Sequence, residues 1–462
     1  MGGCVVKRIK EHQSNMLEGP LLPSVIRFTI PIILTSVLQL LFNAADLVVV
    51  GRFCGSVSVG AVGATNSVTA LIVNLFVGLS VGGGVSVAHG IGSGDERQIR
   101  EAVHTVVPLA LIGGAILTVV GVTLSRPLLI LMGTPENTLP LSALYMKLYF
   151  CGITFTVTYN FSAAVLRAAG DTRSPLIYLS SAGVVNVILN LIFVTVFHMN
   201  VAGVALATAI SQGIAATLVV RALMKRTDAC HLDLRKMRIN KYQLKKIVRI
   251  GLPAGIQSSL FSISNVIIQS SINSFGAAMV AGNAAAANLD SFLYSSMNAF
   301  SQTTVNFVGQ NVGARQYRRA NKTVWLCQCC TLVMGLTMGL LQYTFGETLL
   351  GIYISDSPEA IAYGMLRFSR VTILYFMMGL LDVSTGGLRG YGQSFGPMLI
   401  SVLGICGVRV LWVFTVFQIP AFHTPQWLYT SYPISWGVTL SAQMILFFHI
   451  RNKFLHRDGA EL

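Results

Sequence analysis

The sequence predicts an all-α membrane protein: twelve transmembrane helices in two six-helix bundles related by a pseudo-two-fold axis along the membrane normal. Three observations carry that prediction. The 462-residue chain is 53% hydrophobic and only 11% charged, with a mean hydropathy of +0.67. Its apolar residues gather into runs that reach the length of a bilayer span, about 20 residues. Its two halves repeat one another.

A soluble domain carries about 25% charged residues, so the composition excludes an ordinary soluble enzyme. Disorder needs low hydrophobicity and is excluded as well. Lone strands cannot satisfy their backbone in lipid, and these runs are too long and uniform for barrel strands, so each run is read as a helix. The first span covers 24–50 and carries Pro31, Asn43 and Asp46; the second, 57–89, carries Gly82 to Gly84. Spans follow at 103–124 and 141–166, then at 176–197 with Asn186 and Asn190, and at 201–224 with Thr208. The seventh, 247–272, holds Pro253, Gln257, Asn265 and Gln269; the eighth, 277–309, holds Asn283, Asn288, Asp290, Asn298 and Gln302. The ninth, 321–345, contains Cys327, Cys329 and Cys330; 360–386 holds Asp382, 396–418 holds Arg409, and 430–450 completes the twelve. Internal Pro and Gly are tolerated in such helices where neighbours satisfy the freed backbone groups. The resulting division is a tail (1–23), an N-terminal lobe (24–224), a basic linker (225–246), a C-terminal lobe (247–450) and a second tail (451–462).

The net charge is +15, from 32 Lys+Arg against 17 Asp+Glu. The basic residues lie between spans, which fits the positive-inside bias better than a nucleic-acid partner. Six basic segments fall on one side: Lys7, Arg8 and Lys10; Arg97 and Arg100; Arg167 and Arg173; the linker; Arg315 to Lys322; and Arg451, Lys453 and Arg457. The opposite loops hold Arg52, Arg126, Glu136, Glu347, Asp356 and Glu359 and little else. Both termini are therefore expected in the cytoplasm of a multi-pass protein of the cell membrane. The linker is expected to be solvated, with Asn240 and Gln243 starting an interfacial helix. No cleavable signal is identified, the patterned sequence begins at Met16, and Gly2 lacks the Ser or Thr that myristoylation wants at residue six. The eight cysteines are scattered, and the C-x-C-C group is read as small apolar residues rather than a zinc site.

The repeat has one offset. Val25 to Pro31 matches Ile247 to Pro253, and Leu166 to Gly170 with Pro175 matches Leu388 to Gly392 with Pro397, each 222 residues apart. Gly90 to Gly94 resembles Gly309 to Gly313. Each half has six helices, so both halves enter from the same side, the arrangement of parallel-repeat transporters.

A charged residue deep in a span costs about 2.5–3.5 kcal/mol and usually faces a cavity or a partner. Asp46, in the outer part of the first span, is a candidate proton acceptor or hard-oxygen ligand. Asn186 and Asn190 share a helix face, and with Thr208 they complete a set of carboxylate, amide and hydroxyl oxygens suited to a cation such as Na+. Interhelical hydrogen bonds would leave the same trace. Asn43, Gln257, Asn265, Asp290 and Asp382 are weaker candidates for a substrate cavity. Asp382 either pairs with Arg409 or faces that cavity, and Arg367 and Arg370 are expected to snorkel. No nucleotide fingerprint, Walker motif or catalytic constellation stands out, so no enzyme and no cofactor is expected.

Asn43-x-x-Asp46-x-x-x-x-Gly51, the Leu166-Arg167-x-x-Gly170 and Leu388-Arg389-Gly390 loops, Gly203-x-Ala205-x-Ala207-Thr208 and Val308-Gly309-Gln310-Asn311-x-Gly313 together resemble multidrug and toxic compound extrusion (MATE) transporters. The resemblance runs from about Met16 through nearly all of the chain. It implies two six-helix bundles around a cavity open to one side at a time, and export of small organic, often cationic compounds against inward H+ or Na+. It also carries a cation site onto Asp46, Asn186, Asn190 and Thr208. Many members have Asp where this chain has Asn190, which leaves Asp46 the only acid there and tilts the expectation toward protons. The implied scheme is neutralisation of Asp46, bending of the first helix at Pro31 and loss of cavity volume. A monomer is expected. A lipid-linked glycan or lipid flippase of the same superfamily is the alternative; it would want a cavity lined by Arg and Lys. A membrane receptor without turnover is the rival from another class.

Overall fold

The computed structural model describes residues 16–354 and 357–460. Lys7, Arg8, Lys10, the Gly2 reading, Asp356 and the Arg457 side chain lie outside what is described. Among the described residues the chain is helical throughout, with no strand.

Six helices form the first half: α1 (Leu21–Phe53), α2 (Ser56–Ser93), α3 (Glu96–Leu131), α4 (Leu139–Ala168), α5 (Arg173–Leu191, continued by a π turn to Val196) and α6 (Asn200–Met224). The second half has α7 (Lys241–Asn273), α8 (Ala277–Gly313), α9 (Tyr317–Thr344), α10, α11 and α12 (Pro425–Ala460). α10 is broken: Pro358–Thr372 and Phe376–Gly390 meet at 42°. α11 runs Phe395–Gln418 through a π turn at Val402–Gly407. Polar side chains set several starts. Asp95 accepts from the Gln98 amide at 3.0 Å, Ser357 from Ala360 at 3.2 Å, and Asn240 from Tyr242 at 2.9 Å. Gly94 ends α2 with φ of 68°, a left-handed turn glycine adopts without strain.

Among the described residues, ten helices are long and apolar enough to cross a bilayer, and eleven if the halves of α10 count as one. α8 accounts for the remaining expected span. Its 37 residues suffice in length, but its stripe of Asn, Gln and Asp side chains keeps it out of the apolar set. Large apolar side chains such as Val119, Val333, Leu403 and Ile445 stand exposed, as a surface solvated by lipid requires.

Two compact units result. One comprises Ile30–Gly255, the other Leu17–Thr29 with Ile256–Leu462. The division falls within α1 beside Pro31 and within α7 beside Pro253 rather than in a loop. A proline removes one helical hydrogen bond, so these are the points where a continuous helix is easiest to bend. In the first unit α7 begins against α2 through glycine on glycine. A Cβ at Gly78 or Gly82 would strike the α7 backbone, and one at Gly251 would lie 2.6 Å from Leu79. Phe150, Phe161, Met146 and Leu129 centre that unit's core; Trp436, Tyr429 and Leu428 centre one in the second.

The linker is solvated over most of its length and pinned at a few positions. Most of its charged residues stay exposed, as expected, while Cys230 and Leu232 are buried in the core, His104 accepts from the Asp233 amide at 3.1 Å, and Asn240 donates to Glu101 at 3.0 Å. Burial works against the Asp228 carboxylate, but the Arg226 guanidinium and the Cys230 amide hold its pKa below the ordinary value. The helix expected to start at Asn240 and lead into the seventh span forms as the continuous first turns of α7. Asn240 caps α7 itself, and Gln243 is buried, accepting from Ser86 at 2.7 Å.

Candidate functional site

In the first unit the C-terminal part of α1 carries Asp46 to α5 and α6. Asn190 donates through Nδ2 to one carboxylate oxygen, and the Thr208 hydroxyl stands 3.5 Å from the other. Asn186 donates to Thr208 at 3.3 Å and accepts from Asn190 at 3.3 Å. The spacing of four in α5 puts both amides on one face, and packing of α5 on α6 brings Thr208 to them. Asp46 is half-buried, Asn186 and Asn190 are buried, and the Asn190 Oδ1 has no donor. Four expected residues from three helices are thus assembled into one oxygen-rich cluster with a single acid. Asn43, three residues earlier on α1, is exposed and stands outside these bonds.

The second unit holds a different cluster, which pattern reasoning missed in part. Arg367 does not snorkel. It is 7% exposed and donates to Asp290 at 2.9 Å and to Asn283 at 2.8 Å. Thr372 donates to the other Asp290 oxygen at 2.6 Å, and Tyr429 donates to Asn283 at 3.1 Å. Asp290 is therefore spent on an ion pair. Arg409 is not paired with Asp382. It donates to Ser435 at 3.1 Å and, weakly, to Asn265 at 3.5 Å, and its guanidinium lies 4.2 Å from the centre of the Tyr432 ring. Cation–π contact contributes about 0.5–2 kcal/mol, less than the roughly 2.5–3.5 kcal/mol that a charge at mid-span costs. Asp382 is buried with one oxygen unbonded, against Tyr294, Asn298 and Arg389. Gln257 is buried and accepts from Arg389 at 3.0 Å. The signal that could have found the Arg367 pair is present in the sequence: a lone acid and a lone base, each inside a span, need partners.

Among the described residues no group of three or more His, Cys, Asp or Glu could hold a metal ion. Asp46 with two amides and a hydroxyl can instead exchange a proton or a weakly held hard cation.

The MatE family model matches residues 31–192 and matches again at 253–415. The chain belongs to the MATE family. The two matches start 222 residues apart, the offset of the internal repeat. Over 396 residues this MATE protein is 28% identical to the probable multidrug resistance protein YpnP of Bacillus subtilis (strain 168), covering 86% of the chain and 88% of the relative. It is 27% identical over 395 residues to the probable multidrug resistance protein NorM of Thermotoga maritima, 83% of each chain. A solved outward-facing multidrug resistance MATE transporter superposes with a TM-score of 0.86 at 20% identity, covering 96% of this chain and 98% of that one, a likeness of fold. Family membership and the apolar helices make this a multi-pass membrane transporter and not an enzyme.

Proposed function

We propose that this MATE protein is a secondary active exporter of small organic compounds, cationic ones among them, which exchanges them for inward H+ or Na+ by alternating access, with both termini in the cytoplasm. The single observation that carries the coupling is the Asp46 cluster. One carboxylate, held by amide and hydroxyl groups from two other helices and free of any basic partner among the described residues, is chemically able to gain and lose a cation. The relatives' names support drug efflux.

The chemistry follows from the bonds. A proton arriving on Asp46 turns an acceptor oxygen into a donor, and the unbonded Asn190 Oδ1 offers it an acceptor. An arriving Na+ would take Asp46, the amide carbonyls and Thr208 as oxygen ligands. Either change loosens or redirects the bonds that tie α1 to α5 and α6, and Pro31 lets α1 respond by bending. One inward charge is worth about 2.3 kcal/mol per 100 mV of membrane potential, enough to bias the cycle by more than tenfold. With Asp46 as the only acid in the cluster, the proton is the favoured ion.

The test is ethidium-stimulated flux in proteoliposomes, with proton movement read by a pH dye and Na+ movement by radiolabel. The expected result is ethidium-dependent proton flux that Asp46→Asn removes. Equal flux from the well-folded variant would overturn the assignment.

A further inference from the structure

We propose that the second unit holds an oxyanion site built on Arg409, which binds the carboxylate or phosphate of a flat aromatic compound carried by this transporter. The inference rests on the export reading and names a substrate class within it. It starts from an unbalanced charge. Arg409 is 5% exposed near the middle of the apolar span Phe395–Gln418. A buried base in a bilayer normally finds an acid. Here neither acid of the cluster region serves it. Asp290 gives both oxygens to Arg367 and Thr372, and Asp382 lies against Tyr294, Asn298 and Arg389. The cluster therefore holds two guanidinium groups and one carboxylate.

The bonds that Arg409 does make are neutral and incomplete. Its Nε reaches Ser435 and its Nη1 barely reaches Asn265, so the Nη2 corner of the fork has no protein acceptor among the described residues. A second buried donor in the same neighbourhood also lacks an acceptor. Trp436 is 2% exposed, its Nε1 has no acceptor, and the Arg409 guanidinium lies 5.8 Å from its ring. A cation would be repelled by Arg409. A neutral acceptor would satisfy the indole and leave the charge. An anionic oxygen answers the unbalanced charge, and the planar guanidinium fork suits the two oxygens of a carboxylate or phosphate. The body of such a compound meets aromatic surface: Tyr375 packs on Trp436 at 5.1 Å and Tyr432 on Trp436 at 5.8 Å between ring centres.

The experiment measures equilibrium binding to the full chain in nanodiscs by fluorescence polarisation, with two matched pairs of probes. Rhodamine 110 has a free carboxylate and rhodamine 123 is its methyl ester; riboflavin 5′-phosphate and riboflavin differ by the phosphate. We expect the member of at least one pair that bears the free carboxylate or phosphate to bind about tenfold tighter than the partner that lacks it. Which pair shows the difference tells carboxylate from phosphate. Arg409→Gln should erase that difference while leaving the partner's affinity within about twofold, and Arg409→Lys should keep part of it. Equal binding within both pairs overturns the proposal, and so does an Arg409→Gln protein that stays monodisperse and weakens both members of a pair alike. The two readings fail separately. Arg409-dependent binding without gradient-driven transport would sink export and leave the site; ethidium export with no Arg409 dependence for either pair would do the reverse.

Discussion

The first and second units each gather a polar cluster on corresponding helices of the repeat. In the first, α1, α5 and α6 supply Asp46, Asn186, Asn190 and Thr208. In the second, α7, α11 and α12 supply Asn265, Arg409 and Ser435. Asn265 even stands 222 residues after Asn43. Yet the charge in the cluster is a carboxylate in one and a guanidinium in the other, and the second unit adds the Asp290–Arg367 pair, with no counterpart among the described residues of the first. The difference teaches that duplication copies the backbone frame, because helix length and apolar packing set it. The few polar positions inside the frame are free to change sign, because each depends only on its immediate partners.

The comparison can be broken most forcefully at the acid. Asp46→Asn should reduce gradient-driven ethidium transport in proteoliposomes to the level of protein-free vesicles while the protein remains folded and monodisperse. The ion pair comes next. Asp290→Asn leaves Arg367 buried without its acid and should lower stability by about 3–5 kcal/mol, seen as a fall in the thermal midpoint in detergent. Asp290→Asn combined with Arg367→Met should recover most of that loss, and Arg409→Gln, which breaks no ion pair, should cost far less than Asp290→Asn alone. A double variant as unstable as Asp290→Asn would mean that packing, not charge, explains the loss.

Asn190→Asp sharpens the contrast by giving the first unit a second acid. Added ligand charge strengthens hard-cation binding, so Na+ affinity measured by radiolabel should rise by about tenfold. The smallest effect belongs to Thr208→Val. Its hydroxyl sits at the outer limit of a bond to Asp46, and losing a bond of about 0.5–1 kcal/mol should weaken ion affinity by two- to fivefold. A change of more than twentyfold would make Thr208 a principal ligand.

The Asp46 cluster was legible because its members obey rules that sequence carries. Asn186 and Asn190 share a face by helical spacing, and the acid stood out against an apolar run. The second cluster was not. Asp290 and Arg367 are 77 residues apart and Arg409 and Ser435 are 26 apart, on different helices, and nothing in a single helix's periodicity says which way its neighbour turns. That is why Arg367 reads as a snorkelling side chain, and why the sequence leaves Asp382 between a pair with Arg409 and a place facing the cavity. The linker's anchors were hidden for a related reason. Its charges are solvated as the sequence suggests, but Cys230, Leu232 and Asn240 meet partners on helices far earlier in the chain.

Sequence alone determined the helical class, the positions of the spans and the twofold repetition, since a lipid solvent demands long apolar helices and a shared offset survives in the residues themselves. Tertiary structure decided the rest. It chose which buried charges are paired, left Arg409 without an acid, and placed the unit boundary beside Pro31 and Pro253 instead of in the linker. Those outcomes depend on how helices rotate and pack against one another, a property of several segments at once that no single segment encodes.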